Sequence, residues 1–278
     1  MRLRSLLFVP GDRPDRMEKA LSSGADALIL DLEDSVLPQN KPAARQAVAG
    51  FLARPRDLPI FVRVNALGTE TDADLAIIVP HGADGVVLPK AEGAASLADL
   101  DRRLTARGDK RAHILPIATE TAKAVFALGS YGGVTPRLCG LSWGAEDLPA
   151  AIGAVTAREA DGSFTQPFEM VRALALFGAH AAQVAAIETV YPAFRDEAGL
   201  AAYAARGRRD GFSGMLAIHP VQVAVINAAF TPSPDEIAWA QRVVAAFAQD
   251  SGAGTIQLDG RMLDAPHLRS AVKILSNQ

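Results

Sequence analysis

The chain has 278 residues, of which 49% are hydrophobic and 21% charged, so it can form one large domain or two small ones around a sizeable core. Its net charge of −3 excludes the basic classes of protein that hold nucleic acid or anionic membranes by electrostatic attraction. No apolar run reaches the roughly 20 residues that cross a bilayer. We therefore expect neither nucleic acid nor a membrane as a partner. The lone cysteine, Cys139, cannot form an internal disulfide, so we expect a cytoplasmic protein.

Short apolar runs recur along the chain and predict its strands. They span residues 5–9, 27–32, 60–64, 85–88, 113–117, 138–141, 183–187 and 215–218. None of them alternates with polar residues, which is typical of strands buried on both faces of a parallel sheet. Alanine-rich stretches of helical period separate them, which gives repeats of roughly 30 residues, the size of a βα unit.

Eight such repeats predict a TIM (β/α)₈ barrel over residues 1–230. An open doubly wound sheet is the alternative, because one or two short strands can be miscounted. No glycine-rich dinucleotide loop or Walker-type loop in the sequence supports that alternative.

Residues 231–278 lie outside the eightfold pattern and form a predicted C-terminal extension, which either packs under the barrel or reaches a neighbouring subunit. The first predicted element of the extension is a helix that is capped by Ser233 or Asp235 and ends near residue 249. A hairpin follows over residues 255–263 and turns at Asp259-Gly260. The last predicted element is a helix that begins at about Pro266.

Ionisable residues follow almost every predicted strand. In a barrel enzyme the loops after the strands converge on one mouth, where the chemistry collects. The set comprises Asp31, Glu33, Asp34, Arg63, Lys90, Glu120, Glu146, Asp147, Glu188 and His219. Helix capping would account for one or two of these carboxylates but not for the whole set. We therefore predict a catalytic site at the mouth.

Glu120 and Asp147 follow consecutive strands, so their carboxylates are expected to lie close together. Two neighbouring carboxylates repel each other unless a cation lies between them. Because no His or Cys is near, the expected ion is Mg²⁺, completed by water and substrate oxygens. The alternative is that both residues only complement helix dipoles, and spacing alone does not distinguish Asp147 from Glu146.

Arg63 lies late in a buried strand, where an unpaired guanidinium is very unfavourable. It needs either a carboxylate partner or an anionic ligand. An ion pair with Glu33 or Asp34 is the structural explanation, and such a pair is compatible with a role in catalysis. We therefore count Glu33 and Asp34 with Arg63 among the catalytic candidates.

The segments that carry these residues resemble the citrate lyase β-subunit-like family of the HpcH/HpaI aldolase superfamily, which includes malyl-CoA and citryl-CoA lyases. Singly each match is weak, but together they run in order over nearly the whole chain. They are LFVPG (7–11), DLEDSV (31–36), VRVN (62–65), LPK (88–90), ETA (120–122), GAEDL (144–148), IHPVQ (218–222) and GRMLDAP (260–266).

The resemblance implies a TIM barrel that assembles into trimers or hexamers and acts on coenzyme A thioesters with Mg²⁺. By the family's pattern the metal-binding carboxylates fall on Glu120 and Asp147. Arg63 matches an arginine that stabilises a thioester enolate. Asp264 matches an acid/base aspartate that similar enzymes insert into the mouth of a neighbouring subunit.

The same resemblance assigns the nucleotide end of coenzyme A to Phe8, Arg13 and Lys19. The sequence itself supports this only weakly, through the expectation that Arg13 and Lys19 face one way in the first βα loop and helix and meet a phosphate. Exposed basic residues are ordinary in such a helix.

The implied reaction is the Mg²⁺-dependent cleavage or formation of a 3-hydroxyacyl-CoA thioester, such as citryl-CoA or malyl-CoA, to give acetyl-CoA and a 2-oxo acid through an enolate. Alternatives are a malyl-CoA thioesterase and a lyase subunit that acts on an acyl-carrier-protein thioester. A binding or scaffold relative would have lost a catalytic group, whereas Arg63, Glu120, Asp147 and Asp264 are all present. No loop motif identifies the acyl group or the physiological direction.

Overall fold

The structure is a computed structural model that describes residues 1–249 and 254–276. The chain divides into two compact units. The first comprises Met1 and Leu3–Asn227, and the second comprises Arg2 and the chain from Ala228 onward.

The first unit is a nearly closed (β/α)₈ barrel of eight parallel strands, which confirms the predicted fold. Every predicted apolar run forms a strand whose ends lie within two residues of the expected ones. The strands are β1 (Ser5–Pro10), β2 (Ala27–Asp31), β3 (Ile60–Arg63), β4 (Gly85–Leu88), β5 (His113–Pro116), β6 (Gly140–Ser142), β7 (Ala185–Glu188) and β8 (Gly214–Ala217). Their hydrogen-bonded order is β5-β4-β3-β2-β1-β8-β7-β6.

Helices follow each strand, with two of them after β6. They are α1 (Pro14–Ala20), α2 (Lys41–Leu52), α3 (Thr69–Ile78), α4 (Ala94–Ala106), α5 (Ala122–Phe126), α6 (Leu148–Ile152), α7 (Gln166–Ala181), α8 (Glu197–Asp210) and α9 (Val221–Ala229), of which α9 crosses the boundary between the units. Thr121 caps α5 by accepting a hydrogen bond from the Ala124 amide, and Asp196 caps α8 in the same way through Gly199.

Alternation along the strands decides which side chains enter the barrel, because successive residues of a strand point to opposite faces. The inward-facing residues form one apolar cluster that includes Ala27 and Ile29 of β2, Phe61 of β3 and Ile187 of β7. Asp31 and Arg63 have the same parity as Ile29 and Phe61. At the carboxyl ends of their strands, the apolar interior therefore gives way to a polar mouth.

The second unit has its own small core, in which Ala240, Val243, Leu263 and Ala271 are buried. Its elements are α10 (Pro234–Gln249), the antiparallel strands β9 (Thr255–Leu258) and β10 (Arg261–Asp264), and α11 (Ala265–Ser276). The predicted helices and hairpin are thus confirmed.

Local turn and capping chemistry explains the ends of these elements. Asp259 and Gly260 join the two strands with φ of 50° and 75°, as a tight hairpin turn requires. Ser233 caps α10 through a reciprocal pair of hydrogen bonds with Glu236. None of the helices in the described part of the chain is long and apolar enough to cross a membrane.

Candidate active site

A cavity of about 330 Å³ opens at the carboxyl ends of the barrel strands. It lies within the first unit, and the side chains of most interest in its wall are Phe8, Asp34, Arg63, Glu120 and Asp147. The structure thus brings together, around one cavity, residues that are up to 139 positions apart (from 8 to 147) in the chain. This is the mouth at which the sequence predicts a site.

The Arg63 guanidinium is held rigidly at the end of β3. Its Nε and Nη2 atoms each donate to one oxygen of Asp31 at 2.7 Å, a bidentate ion pair. Its Nη1 atom lies 2.9 Å from Glu33 Oε2 and 3.6 Å from Asp34 Oδ2. The ring of Phe8 lies 4.9 Å from the guanidinium. Asp31 was not predicted as its partner, whereas Glu33 and Asp34 were.

The pKa values of the two buried carboxylates beside Arg63, Asp31 and Glu33, are shifted in opposite directions. Burial alone would raise the pKa of Asp31, but the hydrogen bonds and charge of Arg63 outweigh it and lower that pKa. Burial raises the pKa of Glu33, because Arg63 and Lys90 offset only part of the desolvation. Glu33 Oε2 has the distance of an ion pair to Arg63 but not the geometry of a hydrogen bond, and it has no other donor among the described residues.

Lys90 lies between the carboxylates that hold Arg63 and the carboxylates of Glu120 and Asp147. Its Nζ atom lies 2.6 Å from Glu33 Oε1 and 3.9 Å from Asp147 Oδ1, and its backbone N–H donates to Glu120 Oε2. Lys90 has φ of 51°, a left-handed conformation that residues other than glycine seldom adopt. The Tyr131 hydroxyl fixes the following turn through Ala91 and Gly93.

Glu120 is almost completely buried at the end of the segment that follows β5. Burial raises its pKa to about 8, and the nearby charges of Glu33 and Asp147 add to this effect against the Lys90 N–H and ammonium. The Asp147 carboxylate is more exposed and makes no hydrogen bond within the described residues, although its residue precedes α6. Helix capping therefore explains neither carboxylate, since Thr121 caps α5.

Glu146 also lines the cavity, but of the adjacent carboxylates Glu146 and Asp147 it is Asp147 whose charge raises the pKa of Glu120. Among the described residues no group of three or more His, Cys, Asp or Glu side chains is placed to hold a metal ion. Glu120 and Asp147 could supply two oxygen ligands and leave the other positions to water and substrate.

The residues expected at the nucleotide end of a ligand are only partly at the cavity. Phe8 lines it. Arg13, which directly precedes α1, and Lys19, in the last turn of α1, are exposed and do not line it. Arg13 pairs with Asp15 at 3.3 Å. Arg16, three residues after Arg13, does line the cavity. Sequence reasoning missed Arg16, because one basic residue of a short exposed helix looks like another.

Glu188 does not face the mouth, in contrast to Arg63, Glu120 and Asp147. It is fully buried and accepts hydrogen bonds from Trp143 Nε1, Arg172 Nε, the Tyr203 hydroxyl and the Thr189 amide. The sequence contains a signal for this orientation. Ile187 faces the barrel interior, and because successive residues of a strand point to opposite faces, Glu188 faces outward, towards α7 and α8. Its network holds Trp143 and Thr189, which line the cavity.

Asp264 ends β10 of the second unit and is half exposed. It lies 2.6 Å from His267 Nδ1, and this hydrogen bond lowers the pKa of the Asp264 carboxyl.

Comparison with known proteins identifies the family of this chain. The HpcH/HpaI aldolase/citrate lyase family matches residues 4–220. The citrate lyase subunit beta-like protein of Mycobacterium tuberculosis is 36% identical over 97% of this chain and 93% of its own length. The (3S)-malyl-CoA thioesterase of Cereibacter sphaeroides is 35% identical over 98% of this chain and 93% of its own length.

Among solved structures, the protein CitE of Mycobacterium tuberculosis in complex with magnesium, acetoacetate and coenzyme A is similar, with a TM-score of 0.83 and 35% identity. The similarity covers 99% of this chain and 98% of that one. With the ordered motifs, the barrel and these full-length similarities in agreement, the chain belongs to the HpcH/HpaI aldolase/citrate lyase family.

Proposed function

We propose that this protein is a Mg²⁺-dependent carbon–carbon lyase that cleaves or forms a 3-hydroxyacyl-CoA thioester, with acetyl-CoA and a 2-oxo acid as the smaller partners. The observation that carries the proposal is the anchored guanidinium of Arg63 in the same cavity as the carboxylates of Glu120 and Asp147. The solved relative in complex with magnesium, acetoacetate and coenzyme A supports the choice of ion and of ligand class.

The donor set at Glu120 and Asp147 fits a hard divalent cation. Both ligands are carboxylate oxygens, and the raised pKa of Glu120 reflects unfavourable negative charge that a cation would relieve. Gly144 contributes space, because a Cβ there would lie 3.1 Å from Glu120 Cγ and 3.4 Å from its Oε1. When bound, Mg²⁺ would supply Lewis-acid polarisation of the substrate's hydroxyl and carboxylate oxygens.

Arg63 is the group placed to stabilise the charge that develops on the thioester. In cleavage, the bond between the hydroxyl-bearing carbon and the carbon next to the thioester breaks, and its electron pair forms an enolate. The hydroxyl becomes the carbonyl of the 2-oxo acid as its proton leaves to solvent. Asp31 accepts from Nε and Nη2, whereas Nη1 lies 2.9 Å from Glu33 Oε2 without the geometry of a hydrogen bond. Nη1 is therefore the proposed donor for the enolate oxygen, a contribution of about 3–4 kcal/mol for such donors.

Asp264 is the proposed group that exchanges a proton with the enolate carbon. Asp264 is ionised near neutral pH, and the carboxylate is the form that removes a methyl proton from acetyl-CoA in the direction of bond formation. In cleavage the same carboxyl returns the proton. We also propose that copies of the chain associate as trimers or hexamers and that Asp264 of one copy acts in the mouth of a neighbouring copy. The test is to mix Asp264→Ala protomers with Arg63→Met protomers. Activity should be restored in the mixture if the two residues act across subunits.

Phe8, Arg13 and Lys19 remain our proposed contacts for the nucleotide end of coenzyme A, and Glu33 and Asp34 remain in the catalytic group because they hold Arg63 charged and oriented. Arg16 joins them as a further cation at the cavity wall.

The proposed function is tested with malyl-, β-methylmalyl-, citramalyl- and citryl-CoA in the presence and absence of Mg²⁺. We expect a 2-oxo acid and acetyl-CoA or propionyl-CoA from at least one ester, only with Mg²⁺, and loss of activity in Glu120→Ala and Asp264→Ala. Full activity of both variants on the ester that is cleaved would contradict the residue roles.

A second candidate is a thioesterase, which the 35% identity to (3S)-malyl-CoA thioesterase favours. In that reaction water attacks the thioester carbonyl, and malate and free coenzyme A appear without glyoxylate. Product analysis of the same assay separates the two. Turnover only with an acyl-carrier-protein thioester would instead identify a lyase subunit that needs partner chains.

Alanine at Gly144 is expected to weaken metal binding. The new Cβ would press on Glu120 and on Ile117, from which it would lie 3.2 Å, so the carboxylate must shift by a few tenths of an ångström. Changes next to a metal ligand typically lower affinity or activity roughly 10–100-fold. Titration with Mn²⁺, followed by electron paramagnetic resonance, measures the loss. Gly50→Ala, where the Cβ meets open space in α2, is the matched control and should bind like the wild type.

Mg²⁺ affinity is expected to rise with pH up to about 8. In that range the metal-free Glu120 carboxyl holds a proton that the ion must displace, so affinity should rise by about tenfold per pH unit. The raised pKa also means that the metal-free protein loses stability as pH rises from the usual Glu value to about 8. Mg²⁺ should therefore raise Tm more at about pH 8 than at about pH 6, and Glu120→Gln should abolish the difference.

A further inference from the structure

The barrel has a seam between β5 and β6. Each other pair of neighbouring strands shares a continuous ladder, whereas these two are joined by the isolated bridges Ile114–Leu138 and Ile117–Ser142. The Ile117–Ser142 bridge is the one nearer the mouth, and it includes a hydrogen bond from the Ala118 amide to the Ser142 carbonyl at 2.9 Å. Glu120 follows one side of this seam and Asp147 follows the other.

A single side chain continues the seam beyond the last of these backbone contacts. The hydroxyl of Thr119 accepts a hydrogen bond from the Gly144 amide at 2.9 Å and donates one to the Gly144 carbonyl at 3.0 Å. Thr119 is fully buried, so these hydrogen bonds do not compete with bulk water. The hydroxyl thus provides the paired contacts that a ladder would provide elsewhere.

This contact lies directly between the two carboxylate-bearing segments. Thr119 immediately precedes Glu120, and Gly144 lies three residues before Asp147. Gly144 also packs against the Glu120 side chain, where a Cβ would be only 3.1 Å from Cγ. Any separation of Thr119 from Gly144 would therefore move Glu120 relative to Asp147.

We propose that Thr119 is a positioning residue whose hydroxyl closes the barrel seam at the mouth and thereby sets the spacing of Glu120 and Asp147 for a divalent cation. The inference rests on the proposed function in that these two carboxylates hold the ion. Valine has nearly the same shape as threonine but leaves the Gly144 amide and carbonyl unpaired. Serine keeps both hydrogen bonds.

The test is Mn²⁺ titration of Thr119→Val and Thr119→Ser, followed by electron paramagnetic resonance without substrate, since carboxylate sites accept Mn²⁺ in place of Mg²⁺. We expect Thr119→Val to bind roughly 10–100-fold more weakly and Thr119→Ser to stay near the wild type. The matched control is Thr71→Val: Thr71 is equally buried and its hydroxyl bonds the Asn65 and Ala66 carbonyls, away from the seam. It should lose stability but keep Mn²⁺ affinity.

Wild-type affinity in Thr119→Val, or an equal loss in Thr71→Val, would overturn the role of Thr119 while leaving the proposed function intact. A wild-type protein that binds no Mn²⁺ would overturn the proposed function and this inference together. Hydrogen exchange of the Gly144 amide adds a direct readout of the seam and should be faster in Thr119→Val. If that variant does not fold, Thr119→Cys, which retains only a weak donor, is expected to show a loss in the same direction.

Discussion

Replacement of Glu120 by glutamine should lower kcat/KM by roughly three orders of magnitude, because the several kcal/mol of charge stabilisation that a metal supplies would be lost. Glutamine keeps the size of the side chain and can still accept the Lys90 N–H. The folded protein should not suffer. Burial raises the pKa of Glu120 to about 8, so near neutral pH the metal-free protein must take up a proton at Glu120 when it folds, which lowers its stability, and the neutral amide removes that cost.

Steady-state kinetics and Tm, measured side by side, check this prediction. A large loss of activity with an unchanged or higher Tm in the absence of metal is the expected pair of results. The matched control is Glu92→Gln, since Glu92 contacts Thr121 and Lys123 outside the cavity wall. Asp147→Asn should also lose activity, whereas Glu146→Gln should lose much less. Equal losses in those two variants would reject the assignment of Asp147.

Replacement of Arg63 by methionine should remove both activity and stability. The side chain donates to the oxyanion in our mechanism, and loss of such a donor lowers kcat roughly 10²–10³-fold. The same substitution leaves Asp31 buried without its bidentate partner, which lowers the free energy of unfolding by about 3–5 kcal/mol in comparable cases. Denaturant unfolding and kcat measurements give the two quantities separately.

The double variant Asp31→Asn/Arg63→Met separates the two roles. Removal of the unpaired charge should recover much of the stability while activity stays low. Arg63 lowers the pKa of Asp31 despite burial, so the pair stabilises the fold above the usual Asp pKa and loses that effect as pH falls through the lowered value. The stability deficit of Arg63→Met should therefore be largest near neutral pH and shrink in acid. Recovery of activity in the double variant would exclude Arg63 from the chemistry.

Much of the fold was predictable because its signals are local. Short apolar runs at intervals of a βα unit placed all eight strands, and the Asp259-Gly260 turn placed the C-terminal hairpin. The ordered motifs placed Arg63, Glu120 and Asp147 at the mouth of one barrel, and the three side chains do line one cavity. That cavity is the place of the proposed site.

What the sequence could not specify is which ionisable groups meet. Asp31 and Arg63 are direct partners in the register of β2 against β3, and a parallel register is not written in either strand alone. The alternation that turns Glu188 away from the mouth was readable, but its contacts with Arg172 and Tyr203 depend on where α7 and α8 pack.

The sequence by itself determined the repeat, the barrel and the family resemblance, because these follow from patterns within one segment and from the order of segments. Only the tertiary structure decided that Asp31 anchors Arg63, that Arg16 reaches the cavity and that Thr119 bridges the seam to Gly144. Each of these contacts joins segments that meet only after the strands have taken their register and the barrel has nearly closed, so no local pattern records them.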